Sequence, residues 1–163
     1  MKKIVTLCIL FTMIACVAAI AGGKKTKEYR YEIVPMGVGS QGTTLIKVYS
    51  YAKSEKAAVE LAKENAVHGV MFKGVVGGNG SSAQPPLVKP EEKEMHQDFF
   101  YDFFENGTYL QYVSLSSDGI VSSNDRLKVG NLYKIGIIVS VNKAELRKYL
   151  ENEGVIKKFG SIF

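Results

Sequence analysis

An α+β fold is predicted, a mostly antiparallel sheet of about four strands with two or three helices packed against it, after an N-terminal signal peptide. Three stretches predict it. Residues 42–76 read as strand, helix and strand. Residues 132–142 alternate apolar and polar, and residues 90–106 set four phenylalanines on one helical face.

The N-terminus is set aside first. Lys2 and Lys3 precede an apolar run over residues 4–20, and Ala19-Ile20-Ala21 forms a small-x-small cleavage site. A charged region, an apolar region and small residues in that order are an export signal, so residues 1–21 are expected to be removed. Two alternatives stay open. Met13-Ile14-Ala15-Cys16 resembles a bacterial lipobox, which would make Cys16 a lipidated N-terminus. An uncleaved anchor is the other, since the run approaches the ~18 apolar residues of a membrane span. Membrane attachment is expected only in those two cases.

Both cysteines, Cys8 and Cys16, fall inside this segment. The mature chain is therefore expected to have no disulfide, thiolate metal site or cysteine nucleophile. The formal net charge of +5 drops to +3 when Lys2 and Lys3 leave. Scattered charge of that size is no nucleic-acid footprint, and no nucleic-acid partner is expected. The remainder reads as a basic leader over residues 22–28 and one domain over residues 29–163.

In the first strand, residues 29–35, Tyr29, Tyr31 and Ile33 share a face, and Pro35 ends it before a glycine-rich turn. The second strand alternates Ile46 and Val48 with Leu45, Lys47 and Tyr49. Ser54 is a good N-cap for the helix that follows. Ala57, Ala58, Leu61, Ala62, Asn65 and Ala66 recur at helical spacing, and this small-residue face lets the helix lie close to a sheet. Gly69 is expected to end the helix and residues 70–76 to return as a strand. Residues 77–90 form a flexible Gly/Ser/Pro loop, low in side chain to bury and high in chain entropy to lose.

Pro90 opens a second helix, with Glu91, Glu92 and Glu94 in the first turn, where the helix dipole favours negative charge. Phe99, Phe100, Phe103 and Phe104 form one aromatic face, which is either core or an interaction surface for a partner. Residues 108–115 read as a strand. Residues 126–129 and 132–142 flank a Gly130-Asn131 turn as a hairpin. Its second strand sets Tyr133, Ile135, Ile137, Val139 and Val141 on one face. Asn142 caps a last helix with Leu146, Tyr149 and Leu150 as its apolar stripe, and Gly154 ends it.

The chemistry-bearing residues are few. Two histidines each follow a glutamate by four residues, Glu64–His68 and Glu92–His96. On helices each pair shares a face, and two such faces brought together would make a zinc-type site. Read singly, each pair is a helix-stabilising contact, so no metal and no cofactor are expected. No Gly-x-Ser-x-Gly elbow is present, and neither histidine has a recognisable serine partner. No catalytic residue is identified, and the protein is expected not to be an enzyme.

The order of strand, strand, alanine-rich helix, strand, later hairpin and final helix resembles the small α+β domains of bacterial envelope proteins. The N-terminal domains of TolB and of the flagellar protein FlgT are of this type. The resemblance is carried by residues 48–70, with Ala57, Ala58, Ala62, Asn65 and Ala66, and by residues 133–150. It implies assembly or binding rather than catalysis. The expected function is thus an exported, non-catalytic interaction or assembly module of the periplasm or cell envelope, with an envelope protein as partner. The alternative is a periplasmic small-ligand or glycan binder, its pocket rimmed by aromatics such as Tyr109, Tyr112 and Tyr133.

Overall fold

In a computed structural model of the chain, residues 27–158 are described, apart from 40 and 41. The export signal and Cys16 lie outside the described residues. The elements are β1 (Tyr31–Val38), β2 (Thr43–Ala52), α1 (Glu55–Phe72), α2 (Pro90–Met95), α3 (Gln97–Glu105), β3 (Val113–Leu115), β4 (Arg126–Val129), β5 (Leu132–Asn142) and α4 (Lys143–Asn152). The fold is α+β. All strand pairs are antiparallel, in the order β1-β2-β5-β3, with β4 sharing the same edge of β5 as β3.

Sheet and helices meet through the alternation of two strands. In β2 the side chains of Thr44, Ile46, Val48, Ser50 and Ala52 are buried, and in β5 those of Ile135, Ile137, Val139 and Val141. The register sets Val48 opposite Ile137 and Ile46 opposite Val139, so the two apolar rows lie side by side. Onto them α1 lays Ala58, Ala62 and Ala66, all fully buried. Asn65 is buried on the same face and donates to Ser50 Oγ at 2.8 Å, which pins the helix to the sheet by a polar contact. Ala57 is exposed, so the helix is rotated slightly from the face its spacing predicts.

The opposite face of the sheet is polar and half-buried. There Lys47 and Tyr49 meet Asp125 at 2.8 Å each, and Lys134 and Tyr51 meet Glu32 at 2.7 and 2.6 Å. Gly136 in the centre of β5 makes room for this. A Cβ there would stand 2.5 Å from Tyr49 Cε1 and 3.0 Å from Asp125 Cβ.

Four expectations are corrected. First, Gly69 does not end α1, and residues 70–76 are not a strand. The helix runs on to Phe72, burying Val70 and Met71, and Gly74, at φ +73°, closes it by donating to Gly69 O at 2.9 Å. Gly69 serves packing instead: a Cβ there would run into Ile33 Cδ1 of β1. Second, β1 does not stop at Pro35 but continues through a bulge between Pro35 and Gly37. Third, the second helix breaks at His96, whose ψ of 32° separates polar α2, with no buried residue, from aromatic α3. The break lets the phenylalanines tilt into the body independently of the polar turn before them. Fourth, residues 108–112 form a 3-10 turn, and only Val113–Leu115 pair as strand.

The Gly/Ser/Pro segment folds back on itself through bridges Val75↔Gln84 and Gly78↔Ser81. Asn79 Nδ2 donates to Pro35 O at 2.6 Å, and Gln84 Oε1 accepts from Thr44 and Lys143 at 3.1 and 2.9 Å. Beyond it, Leu87 and Val88 are buried, and Val88 N–H reaches the carbonyl of Met71 at 3.0 Å. That contact satisfies a helix-end acceptor otherwise without an intrahelical partner. Among the described residues no helix is long and apolar enough to cross a membrane.

Candidate functional site

The C-terminal half of α1 buries three polar side chains in succession, Glu64, Asn65 and His68. Asn65 is accounted for by Ser50. Glu64 and His68, one helical turn apart, face the entry of β1, where the chain leading into the strand crosses them. Lys27 Nζ lies 2.6 Å from both carboxylate oxygens of Glu64, and Tyr29 Oη donates to Oε1 at 2.7 Å. Burial, followed by the hydrogen bond to Glu64, pushes the Tyr29 phenol well above its usual range. The Tyr29 ring stacks on the His68 imidazole with centroids 3.7 Å apart.

His68 Nδ1 lies 2.6 Å from Tyr31 Oη. The geometry settles which atom donates. The Tyr31 hydroxyl has no other hydrogen-bond partner among the described residues, and burial raises its pKa, so it stays protonated. As an acceptor it would leave its own proton unpaired in a buried place. Tyr31 therefore donates, Nδ1 accepts, and the ring proton of neutral His68 resides on Nε2. Burial, with the nearby charges of Lys93, Lys73 and Lys27, pushes the His68 pKa down to about 3. The imidazole is neutral throughout the physiological range, and its one lone pair is occupied. It offers a proton donor, not a general base.

The site opens into a cleft of about 550 Å³ between α1 and the α2–α3 arm. Tyr29, His68 and Phe72 line the side of α1, and Phe100 and Phe104 that of α3. The Phe72 and Phe100 rings meet edge to face at 4.9 Å, a favourable arrangement of their quadrupoles. Lys93 stands at the lip with its ammonium 4.5 Å from the Phe72 centroid. Glu94, Asp98 and Glu105 of the arm also line the cleft. Among the described residues His68 Nε2 has no hydrogen-bond partner, and no buried side-chain nitrogen or oxygen is left unpaired. Nε2 is therefore the edge of the ring that reaches the cleft.

The residues singled out from sequence are distributed as follows. Phe100 and Phe103 are buried and Phe99 and Phe104 half-buried. Phe103 stacks near Tyr149 and Tyr112 at 5.9 and 6.2 Å, and Phe104 meets Tyr109 at 5.6 Å. The aromatic face is thus covered largely by the chain's own rings, and Phe100 and Phe104 contribute to the cleft. Tyr109 and Tyr112 belong to this packing, while Tyr133 lies on β5 opposite Ala52. The three tyrosines do not rim one pocket. Glu64–His68 and Glu92–His96 do not combine either. Glu92 caps its own helix, accepting from Lys89 N–H at 2.8 Å, and His96 sits at the α2–α3 junction. Among the described residues no group of three or more His, Cys, Asp or Glu side chains is placed to hold a metal ion.

Tyr29, Tyr31, Phe72 and Lys93 escape sequence reasoning. Each reads there as an ordinary strand or helix residue, since they converge through tertiary contacts, such as Tyr31–His68 and Phe72–Lys93, between segments distant in the chain. No known protein family, curated protein or solved structure matches this chain.

Proposed function

We propose that this protein is an exported, non-catalytic binding module of the cell envelope whose ligand site is the cleft between α1 and the α2–α3 arm. One observation carries the reading: a polar atom of a nine-tenths buried side chain, His68 Nε2, faces an aromatic-floored cleft of about 550 Å³. Small-molecule sites are of this kind, mostly apolar with a few convergent polar groups that set orientation. The tautomer of His68 supports binding over turnover, because a ring whose lone pair is taken cannot accept a proton from a substrate. Exported placement rests on the leader, and the envelope setting follows from it.

The test is a thermal-shift screen of the protein against small carboxylates, amines, sugars and neutral aromatics. A ligand at a hundredfold its Kd stabilises the fold by about 2.7 kcal/mol. At least one class should raise the midpoint and perturb the NMR signals of His68, Phe72 and Phe104. A screen that leaves every compound without effect removes the reading.

A second reading, a protein-interaction module, draws on the sheet. Its polar face carries the exposed Leu127 and Val129 of β4 beside the Lys134 and Tyr51 contacts. A partner seated there would be recovered from envelope extracts by the intact protein and lost on Leu127→Asp, with the cleft unaffected.

A further inference from the structure

The cleft has an apolar aromatic body, and its polar groups include the His68 imidazole and Lys93. We infer that its ligand is a small organic carboxylate on an aromatic ring, with the carboxylate at His68 Nε2–H and Lys93 and the ring against the aromatic floor that includes Phe72 and Phe104. This rests on the binding role assigned to the cleft and specifies the chemistry of what enters it.

The donors come first. Tyr31 holds Nδ1 at 2.6 Å, so the ring turns a fixed N–H donor, not an acceptor, toward the cleft. A donor in partly desolvated surroundings calls for an acceptor, and an ionised acceptor makes the shorter and stronger bond. Lys93 supplies the balancing charge. It lines the same cleft, and its ammonium rests over the Phe72 ring at 4.5 Å. A lysine stem is flexible, and a cation–π contact at an exposed site is worth only about 0.5–1 kcal/mol, so Lys93 can turn to an arriving carboxylate. Lys27, by contrast, is committed to Glu64.

Charge around the cleft is mixed, and Lys93 is the cation nearest the aromatic floor. Lys27 is paired with Glu64, whereas Lys93 rests over the Phe72 face, in a lining that also holds Glu94, Asp98 and Glu105. Glu94 and Glu105 lie exposed on the arm, where solvent screens them. The rings of Tyr29, Phe72, Phe100 and Phe104 set the rest of the specificity, since they accept a flat apolar body by edge and face.

The experiment titrates the protein with phenylacetate, with phenethylamine and with phenylacetamide, following binding by calorimetry and the imidazole nitrogens by NMR. Phenylacetate should bind saturably and shift the His68 Nε2 resonance. Phenylacetamide should bind at least tenfold more weakly, and phenethylamine more weakly still. Lys93→Ala should reduce phenylacetate affinity about tenfold while leaving phenylacetamide within twofold. His68→Gln, which keeps an N–H donor near the position of Nε2, should retain most of the affinity, and His68→Phe should lose it. Preference for the amine or the amide, or an imidazole spectrum with the proton on Nδ1, overturns the carboxylate assignment and leaves the binding role of the cleft intact. If none of the three binds while another compound of the screen does, the carboxylate is likewise overturned. Failure of the whole screen removes the binding role itself.

Discussion

Tyr31 Oη donates to His68 Nδ1 at 2.6 Å, joining the first strand to the first helix through a buried pair of polar side chains. The contact sets the tautomer of the histidine that lines the cleft, and the burial of that imidazole makes the fold's stability depend on pH.

The sign of that dependence follows from the folded pKa of about 3, against an ordinary 6.5. Above pH 6.5 folded and unfolded chains both hold His68 neutral. As pH falls below 6.5 the unfolded chain takes up a proton that the folded chain refuses until about pH 3, so stability is lost across that window. The loss should reach roughly 3 kcal/mol at pH 4. Urea unfolding at pH 7 and pH 4 measures it, and His68→Gln should remove most of the difference. A variant with an unchanged difference would refute the linkage.

Tyr31→Phe deletes the donor and leaves Nδ1 buried without a partner. A loss of about 1–3 kcal/mol is expected, from the unsatisfied group more than from the missing bond. Phenylacetate affinity should fall in the same variant, because the ring proton is free to move to Nδ1. Chemical denaturation and calorimetry read the two effects separately.

Gly74→Ala should destabilise by about 2–4 kcal/mol, combining left-handed backbone with overpacking. Its φ is +73°, and a Cβ would stand 2.5 Å from the carbonyl oxygen of Gln84 and 2.9 Å from Pro86 N, both backbone atoms. Gly130→Ala is the control, since its φ of +61° is similar and no atom lies within 4 Å of the added Cβ. It should lose only the conformational part. Equal losses at the two positions would show that the approach of residues 84–86 to the helix end is not close.

On the polar sheet face, Asp125 accepts from Lys47 and Tyr49, and the Lys47 contact above all holds its carboxyl below the usual carboxylate range. Its contribution is present above the ordinary carboxylate pKa and fades as pH falls through the lower folded value. Asp125→Ala should lose about 1–2 kcal/mol at pH 7 and less in acid, with Tyr49→Phe losing part of the same sum. A double-mutant cycle measures the coupling.

Phe103→Ala should lose about 3–5 kcal/mol, as a buried ring packed against Tyr112 and Tyr149. Tyr101→Ala, on the exposed side of the same helix, should lose less than about 1 kcal/mol. Comparable losses would contradict the orientation of α3.

Much of the fold was legible because its signals are short-range. The alternation of Ile135, Ile137, Val139 and Val141, the Ser54 and Asn142 caps and the Gly130 turn are each encoded within a few residues, and the structure uses all of them. Gly69 was misread for the same reason: a glycine near the end of a helical pattern carries a local stop signal, while its actual reason is Ile33 in another strand. Tyr109, Tyr112 and Tyr133 share a residue type but not a register, and residue type alone says nothing about register.

By itself the sequence determined the α+β class, the alternating strands, the capped helices and the aromatic stripe, all properties of a periodic chain and its turn chemistry. Only the tertiary structure decided that Tyr29, Tyr31, His68, Phe72 and Phe104 meet around one cleft. Their meeting depends on strand register, on the extra turn of α1 beyond Gly69 and on the break at His96, and each of those is fixed by contacts between segments far apart in the chain.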